Sequence, residues 1–157
     1  MEQKIITLLR NAWKTQTKAV SEYFNKNPDE FYTREIAPGR NKATYILGHL
    51  IATNDGIIPL LGFGDKLYPE LDRYFTPNIP WHYDEFPSIT GLKAKWETLN
   101  QFLESKFDTL TAADWLARHT KVSPEDFALD PKRNKLNVLI GRTNHTSYHL
   151  GQLNLLK

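Results

Sequence analysis

Apolar residues recur every three or four positions through most of this chain, which is the spacing of one face of an α-helix. The clearest case spans residues 88–110, where Ser88 is a good N-cap for the predicted helix. Its apolar seam consists of Leu92, Trp96, Leu99, Leu103, Phe107 and Leu110. The alternation typical of a β-strand is missing, and residues 122–130 are the one ambiguous stretch. The pattern therefore predicts an all-α protein.

The same periodicity predicts three further long helices. One runs from about residue 2 to residue 25, one over about residues 41–61, and the last over about residues 134–156. The second is apolar over a wide arc and should be well buried; Pro59 is expected to bend or end it, and Gly62 to stop it. The apolar face expected for the first comprises Ile5, Leu9, Ala12, Trp13, Val20, Tyr23 and Phe24.

The segments between these helices are shorter or richer in proline. Residues 25–41 and 119–133 are predicted to be loops, and a capping-box-like TAADW predicts a short helix over residues 111–118. Residues 64–87 form a long connection with four prolines, which is either functional or packed over the bundle. We expect an antiparallel four-helix bundle with this long connection between its second and third helices, and residues 1–157 as a single domain.

Composition and charge exclude several classes of protein. The net charge is only +2, and basic residues are interspersed with acidic ones, so no basic stripe predicts nucleic-acid binding. With no cysteine, the chain has no disulfide, no thiolate metal site and no cysteine nucleophile. It shows neither a signal peptide nor an apolar run of about 18 residues that could span a membrane. We expect a cytoplasmic protein.

Three of the five histidines form the candidate site. His145 and His149 lie four residues apart in the last predicted helix, so their side chains stack on one face. That face also carries mostly small or apolar residues, namely Val138, Gly141, Gln152, Leu153 and Leu156, whereas the opposite face carries Arg142, Ser147 and Asn154. Both histidines are therefore expected to point inward. His49, in the apolar stretch ATYILGHLIATND of the second helix, is also compatible with a core position.

Three neutral imidazoles with a fourth position left open are the ligand set of a catalytic rather than a structural zinc-type site. The simpler alternative is that each histidine is a core residue with satisfied hydrogen bonds. The site is not a zincin, because Thr146 stands where the HExxH motif requires a general-base glutamate. The Glu-x-x-His pairs of di-iron bundles are also missing.

The GHL segment around His49 and the terminal HTSYHLGQL resemble the DinB family, also called the DinB/YfiT-like superfamily. The resemblance covers essentially the full chain, including the helix order, the long middle connection and the terminal H-x-x-x-H-x-x-Q signature. It implies a four-helix bundle that holds a divalent metal, often zinc or nickel, between one histidine on the second helix and two on the last. The matching positions here are His49, His145 and His149.

The resemblance also implies candidate functions. Members of the family include thiol S-transferases that use bacillithiol or mycothiol and a mycothiol-dependent maleylpyruvate isomerase, and homodimers are common. We expect a metal-dependent transferase or hydrolase in which the ion activates a low-molecular-weight thiol or a water against a small-molecule substrate. One alternative is a dimeric metal-binding bundle without turnover, with a role in stress response or interaction. Another is a structural bundle that binds no metal.

Several other residues have two interpretations at this stage. Gln152 could orient a ligand or simply pack as an amide, and Tyr45 could line a pocket or the core. Arg40 and Arg142 could pair with a substrate carboxylate or remain solvated. His119 is expected to be exposed.

Two further groups of residues lie close to the site in sequence or in the long connection. Asn144 and Tyr148 are expected to pack against neighbouring helices. The run Trp81, His82 and Tyr83 could form a lid over the bundle or anchor the connection.

Overall fold

A computed structural model describes residues 2–76 and 86–157 of the chain. The expectations for Trp81, His82 and Tyr83 lie outside these residues. The helices are α1 (Glu2–Asn25), α2 (Ala43–Asp55), α3 (Ile57–Leu61), α4 (Asp72–Phe75), α5 (Ile89–Phe107), α6 (Ala112–Leu116), α7 (Pro124–Leu129) and α8 (Lys135–Leu153), and short 3₁₀ segments cover Asp29–Thr33 and Pro69–Leu71. Within the described part, no helix has both the length and the apolar character needed to cross a membrane.

The four long helices α1, α2, α5 and α8 form the bundle. α1 packs against α5 and α8, and α2 packs against the same two helices, so the four enclose a common interior. Buried apolar side chains from all four helices belong to one hydrophobic cluster. The predicted all-α four-helix bundle is therefore confirmed.

The buried face of α1 differs slightly from the predicted one. Ile6, Trp13 and Val20 are buried and lie seven residues apart, so they form a line along the helix after every two turns. Ile5 lies one residue off this line and is 49% exposed, and Ala12 is also exposed. The prediction was wrong for these two because it counted every apolar residue near the seam.

The second predicted helix is divided in two. α2 ends at Asp55 and α3 begins at Ile57, with Gly56 between them. Pro59 explains the position of the break, because its ring would clash with the carbonyl four residues earlier, that of Asp55, and it has no N–H to donate there. The predicted stop at Gly62 is confirmed by its left-handed conformation, with φ of 83°.

The described part of the long connection packs on the bundle. Asp55 is fully buried at the end of α2, and its carboxylate accepts hydrogen bonds of 2.9 Å from the backbone N–H groups of Leu67 and Tyr68. Leu71 and Phe75 are buried against α2. The connection therefore follows a defined path that brings Phe75 next to the middle of α2.

The predicted loop over residues 119–133 contains a helix, α7, that the periodicity did not indicate. Ser123 caps it by accepting a hydrogen bond of 3.0 Å from Asp126 N–H, and Pro124 occupies its first turn. A helix of this length is too short to show a period of 3.6 residues. The last long helix also ends at Leu153, three residues earlier than Leu156.

Candidate metal centre

The fold brings together the three histidines that the sequence singles out. His49 projects from α2, and His145 and His149 project from α8, and all three are half-buried. The Nε2 atom of His145 lies 3.2 Å from Nε2 of His49 and 3.1 Å from Nε2 of His149. Within the described ranges they form the one cluster of three or more potential metal ligands, with ligand atoms within 4.8 Å of one another.

These distances fit a shared metal ion. Two nitrogens bonded to one zinc ion at about 2.0–2.1 Å and at a tetrahedral angle lie about 3.3 Å apart. The two Nε2 separations of 3.2 Å and 3.1 Å are close to that value. These two separations fit one ion shared by the three rings.

Hydrogen bonds on the outer side of two rings set their tautomers. His49 Nδ1 donates to the backbone carbonyl of Phe75 at 2.8 Å, and His149 Nδ1 donates to Gln152 Oε1 at 2.7 Å. A proton on Nδ1 leaves Nε2 with a lone pair, which is the form that binds a metal, and outer partners of this kind are typical of histidine ligands. Both lone pairs point into the space between the rings.

The electrostatic surroundings keep two of these rings neutral. Burial lowers the pKa of His145 to about 4, with further contributions from His149, His49 and Arg142. Burial also lowers the pKa of His149, followed by the effect of His49, while the hydrogen bond with Gln152 acts in the opposite direction. Both imidazoles are therefore uncharged at neutral pH and available as ligands.

Aromatic side chains border the site on both helices. Tyr45 is buried, and its ring is nearly parallel to that of His49, with centroids 6.0 Å apart and an interplanar angle of 15°. Tyr148 is exposed, contrary to the expectation that it packs against a neighbouring helix, and meets the His149 ring edge-on at 5.1 Å. Its hydroxyl accepts a hydrogen bond of 3.1 Å from Gln152 Nε2. Gln152 thus links Tyr148 to His149, which agrees with an orienting role.

The face of α8 that enters the core is not the one predicted from the histidines. Leu139, Thr146 and Leu153 are fully buried at seven-residue intervals, whereas His145 and His149 lie beside this line and are half-buried. Gly141 is exposed, and so is Asn144, contrary to the expectation that it packs against a neighbouring helix. The two histidines, expected to point inward, are half-buried at the edge of the core, where they meet His49.

Two other sequence expectations also change. Arg142, predicted for the solvent face of α8, is half-buried, and burial lowers the pKa of its guanidinium. His119, predicted to be exposed, is half-buried, and its buried Nδ1 has no hydrogen-bond partner in the described part of the chain. His119 does not join the cluster of the other three.

The site residues that sequence reasoning missed are the ones that act through the backbone. Phe75 contributes only its carbonyl oxygen to His49, and no side-chain pattern reports such a contact. Gln152, by contrast, is visible in the sequence as the residue three positions after His149.

Comparison with known proteins adds a family and a fold. The sequence model of the DinB superfamily matches residues 12–153 of the chain. No curated protein matches it. A solved structure, that of a conserved protein of a locus from Enterococcus faecalis, is similar with a TM-score of 0.66 and 14% identity, over 96% of this chain and 95% of that one. At this identity the structural likeness shows the fold alone.

Proposed function

The chain belongs to the DinB superfamily, and we propose that its residues His49, His145 and His149 bind one divalent metal ion through their Nε2 atoms. The observation that carries this proposal is the convergence of three Nε2 atoms, with those of His49 and His149 at 3.2 Å and 3.1 Å from that of His145. The residues match those expected from the family resemblance, and they come from the two helices that the resemblance requires.

Hydrogen bonding alone does not satisfy these atoms. With Nδ1 of His49 and of His149 donating outward, the only proton available between the rings is one on His145 Nε2. That proton can be donated to one neighbour and leaves the other Nε2 without a donor. A cation at the centre satisfies all three nitrogens at once, which favours a metal site over a set of core histidines.

The proposal extends to an enzyme that acts on a small molecule. A zinc or nickel ion held by three neutral ligands keeps its full charge and an open position, and can lower the pKa of a bound thiol or water towards neutrality. The half-buried rings leave the site at the edge of the core, where a small ligand can approach. The chain has no cysteine of its own, so a thiol nucleophile would come from a low-molecular-weight cosubstrate. We therefore propose a thiol S-transferase or hydrolase.

One observation favours a second candidate function. No described carboxylate is among the groups that shift the pKa of His145 or of His149. A metal-binding bundle without turnover, acting in stress response or as an interaction module, needs no such carboxylate. Both candidates include a single domain, a homodimer and a cytoplasmic location, and exposed Ile5 and Leu8 on α1 offer apolar area for the dimer contact.

Metal content is the first test. We expect about one equivalent of metal by mass spectrometry in untagged protein, and little in the variants His49→Ala, His145→Ala and His149→Ala. His119→Ala is the matched control, because His119 is also half-buried but lies outside the cluster, and it should retain the metal. Absence of metal after incubation with zinc or nickel would exclude both candidate functions.

Turnover separates the two candidates. The metal-loaded protein is mixed with a small thiol and an aromatic electrophile, and loss of the thiol is followed over time. An enzyme accelerates this loss relative to metal-free protein and to His145→Ala. Equal rates in all three samples, with metal bound, would favour the bundle without turnover.

A further inference from the structure

Arg142 is a half-buried cation with no partner for its side chain among the described residues. It lies in the middle of α8, three residues before His145, and therefore away from the carbonyl groups at the end of the helix. Arg10 pairs with Asp108, and Arg118 donates to the carbonyl of Val122, but no ion pair or hydrogen bond is formed by the guanidinium of Arg142 within residues 2–76 and 86–157.

Among the described residues, no negatively charged group contributes to the pKa shift of Arg142 or of its neighbour His145. The groups that act on His145 are the two other histidines and Arg142 itself, and no carboxylate of the described chain is among them. Burial alone accounts for the lowered pKa of the Arg142 guanidinium. Removing a cation from water without an opposite charge is unfavourable, so this arrangement favours binding of an anion.

A second observation points in the same direction. Nδ1 of His145 is buried and has no hydrogen-bond partner among the residues that the structure describes. When Nε2 of this ring is a metal ligand, the proton lies on Nδ1, which then becomes a donor without an acceptor. The turn of α8 that carries Arg142 and His145 is therefore short of both negative charge and acceptor atoms.

We propose that Arg142 binds a carboxylate of the small molecule that reaches the three-histidine site. This inference rests on the proposed function and deepens it by naming a substrate class. The planar guanidinium presents two parallel N–H groups that match the two oxygens of a carboxylate. Three residues correspond to about 4.5 Å along the helix axis. A molecule with a few carbon atoms between its carboxylate and its metal-bound group can reach both sites.

The location on α8 distinguishes Arg142 from other arginines. Stepping by three and four residues from Arg142 reaches His145 and then His149, so the three side chains form one row on the helix. Arg40, the other arginine singled out in the sequence, is exposed in the segment between α1 and α2. It carries the same charge and serves as a matched control.

The test compares two thiols that differ only in charge. Protein loaded with cobalt(II) is titrated with 3-mercaptopropionate and with its neutral amide, and thiolate binding is followed by the sulfur-to-metal absorption band. We expect the wild type to prefer the carboxylate by about tenfold or more. Arg142→Gln should bind both thiols equally and keep its metal, Arg142→Lys should retain part of the preference, and Arg40→Gln should behave as wild type.

The outcomes also separate this inference from the proposed function. Equal binding of the two thiols by wild type, or a preference that survives in Arg142→Gln, would overturn the role of Arg142 while leaving the metal site intact. If the protein takes up no metal, the proposed function fails. The role of Arg142 is then decided by calorimetry of 3-mercaptopropionate with the metal-free protein. Binding that is lost in Arg142→Gln supports it, and absence of binding to wild type overturns it.

Discussion

The ring of Phe75 lies directly against the backbone of Gly48, where an added Cβ would be only 2.3 Å from the ring atom Cζ. The carbonyl oxygen of Phe75 accepts the Nδ1–H of His49, the residue that follows Gly48. Phe75 therefore determines two features at once: it leaves no room for a side chain at Gly48, and it orients the ring of His49. This contact gives a structural reason for glycine in the GHL segment.

Substitution of Gly48 should affect both stability and metal binding. In Gly48→Ala the new methyl group forces Phe75 away from α2, and we expect a loss of about 1–3 kcal/mol in the free energy of unfolding. Metal affinity should fall as well, because the acceptor of His49 moves with Phe75. Chemical denaturation and chelator competition measure the two effects.

Gly141→Ala is the matched control for this prediction. Gly141 also lies in a long helix, but a Cβ there would have no neighbour within 4 Å. It should be neutral or stabilising by about 0.5–1 kcal/mol, since alanine is the better helix former. Equal effects of the two substitutions would contradict the role assigned to the Phe75 contact.

Gln152 is expected to act on the metal through His149. Gln152→Ala removes the acceptor that fixes the ring, and loss of such an outer partner typically lowers metal affinity about 10–100-fold. Gln152→Glu keeps an acceptor at the same place and should retain more of the affinity than alanine does. Gln101→Ala, at an exposed glutamine on α5, is the control. Unchanged affinity in Gln152→Ala would show that the hydrogen bond is not needed.

The stability of the metal-free protein should fall on acidification. His145 has a folded-state pKa of about 4 against an ordinary value of 6.5, so the unfolded chain binds more protons between these two values. The free energy of unfolding therefore rises with pH across this window. The contribution of His145 to it is lost as the pH falls from about 6.5 to 4. His145→Gln should show a shallower dependence in denaturation experiments at several pH values. Parallel curves for the two proteins would contradict this origin.

Asp55 should be required for the path of the connection. Asp55→Ala leaves the N–H groups of Leu67 and Tyr68 without their acceptor, and we expect the free energy of unfolding to fall by about 2–4 kcal/mol. Asp55→Asn keeps one acceptor oxygen and should lose less. Burial raises the pKa of this carboxyl group, although the two amides and Lys66 act against the rise. Hydrogen exchange at Leu67 and Tyr68 should become faster in Asp55→Ala, and unchanged protection would contradict the assignment.

The long helices could be predicted from the sequence because each one buries a continuous apolar face. The seam of α5 is an example, since Leu92 to Phe107 are all buried at the predicted positions. The short helix α7 depends on local capping by Ser123, and the break after Asp55 depends on the ring of Pro59 four residues later. Both are determined by single residues and so leave no period to detect.

The identity of the site residues was predictable from the sequence, whereas the way α8 packs in the bundle was not. Spacing and the family resemblance identified His49, His145 and His149, and the structure brings them together. The fully buried line of α8 was not predicted because it includes Thr146, a polar residue that hydropathy does not mark as core. Arg142 was also assigned to the solvent side, although it lies three residues before His145 and this spacing places the two side chains near each other on a helix.

The two helices that meet at the histidines are distant in the chain, and His49 and His145 are 96 residues apart. An ion shared by them would cross-link the early and the late part of the chain. Because the unfolded chain has no such site, occupancy stabilises the folded state by an amount that grows with the logarithm of free metal concentration. The amount of folded protein in a cell would then follow the supply of metal, whether or not any substrate is turned over.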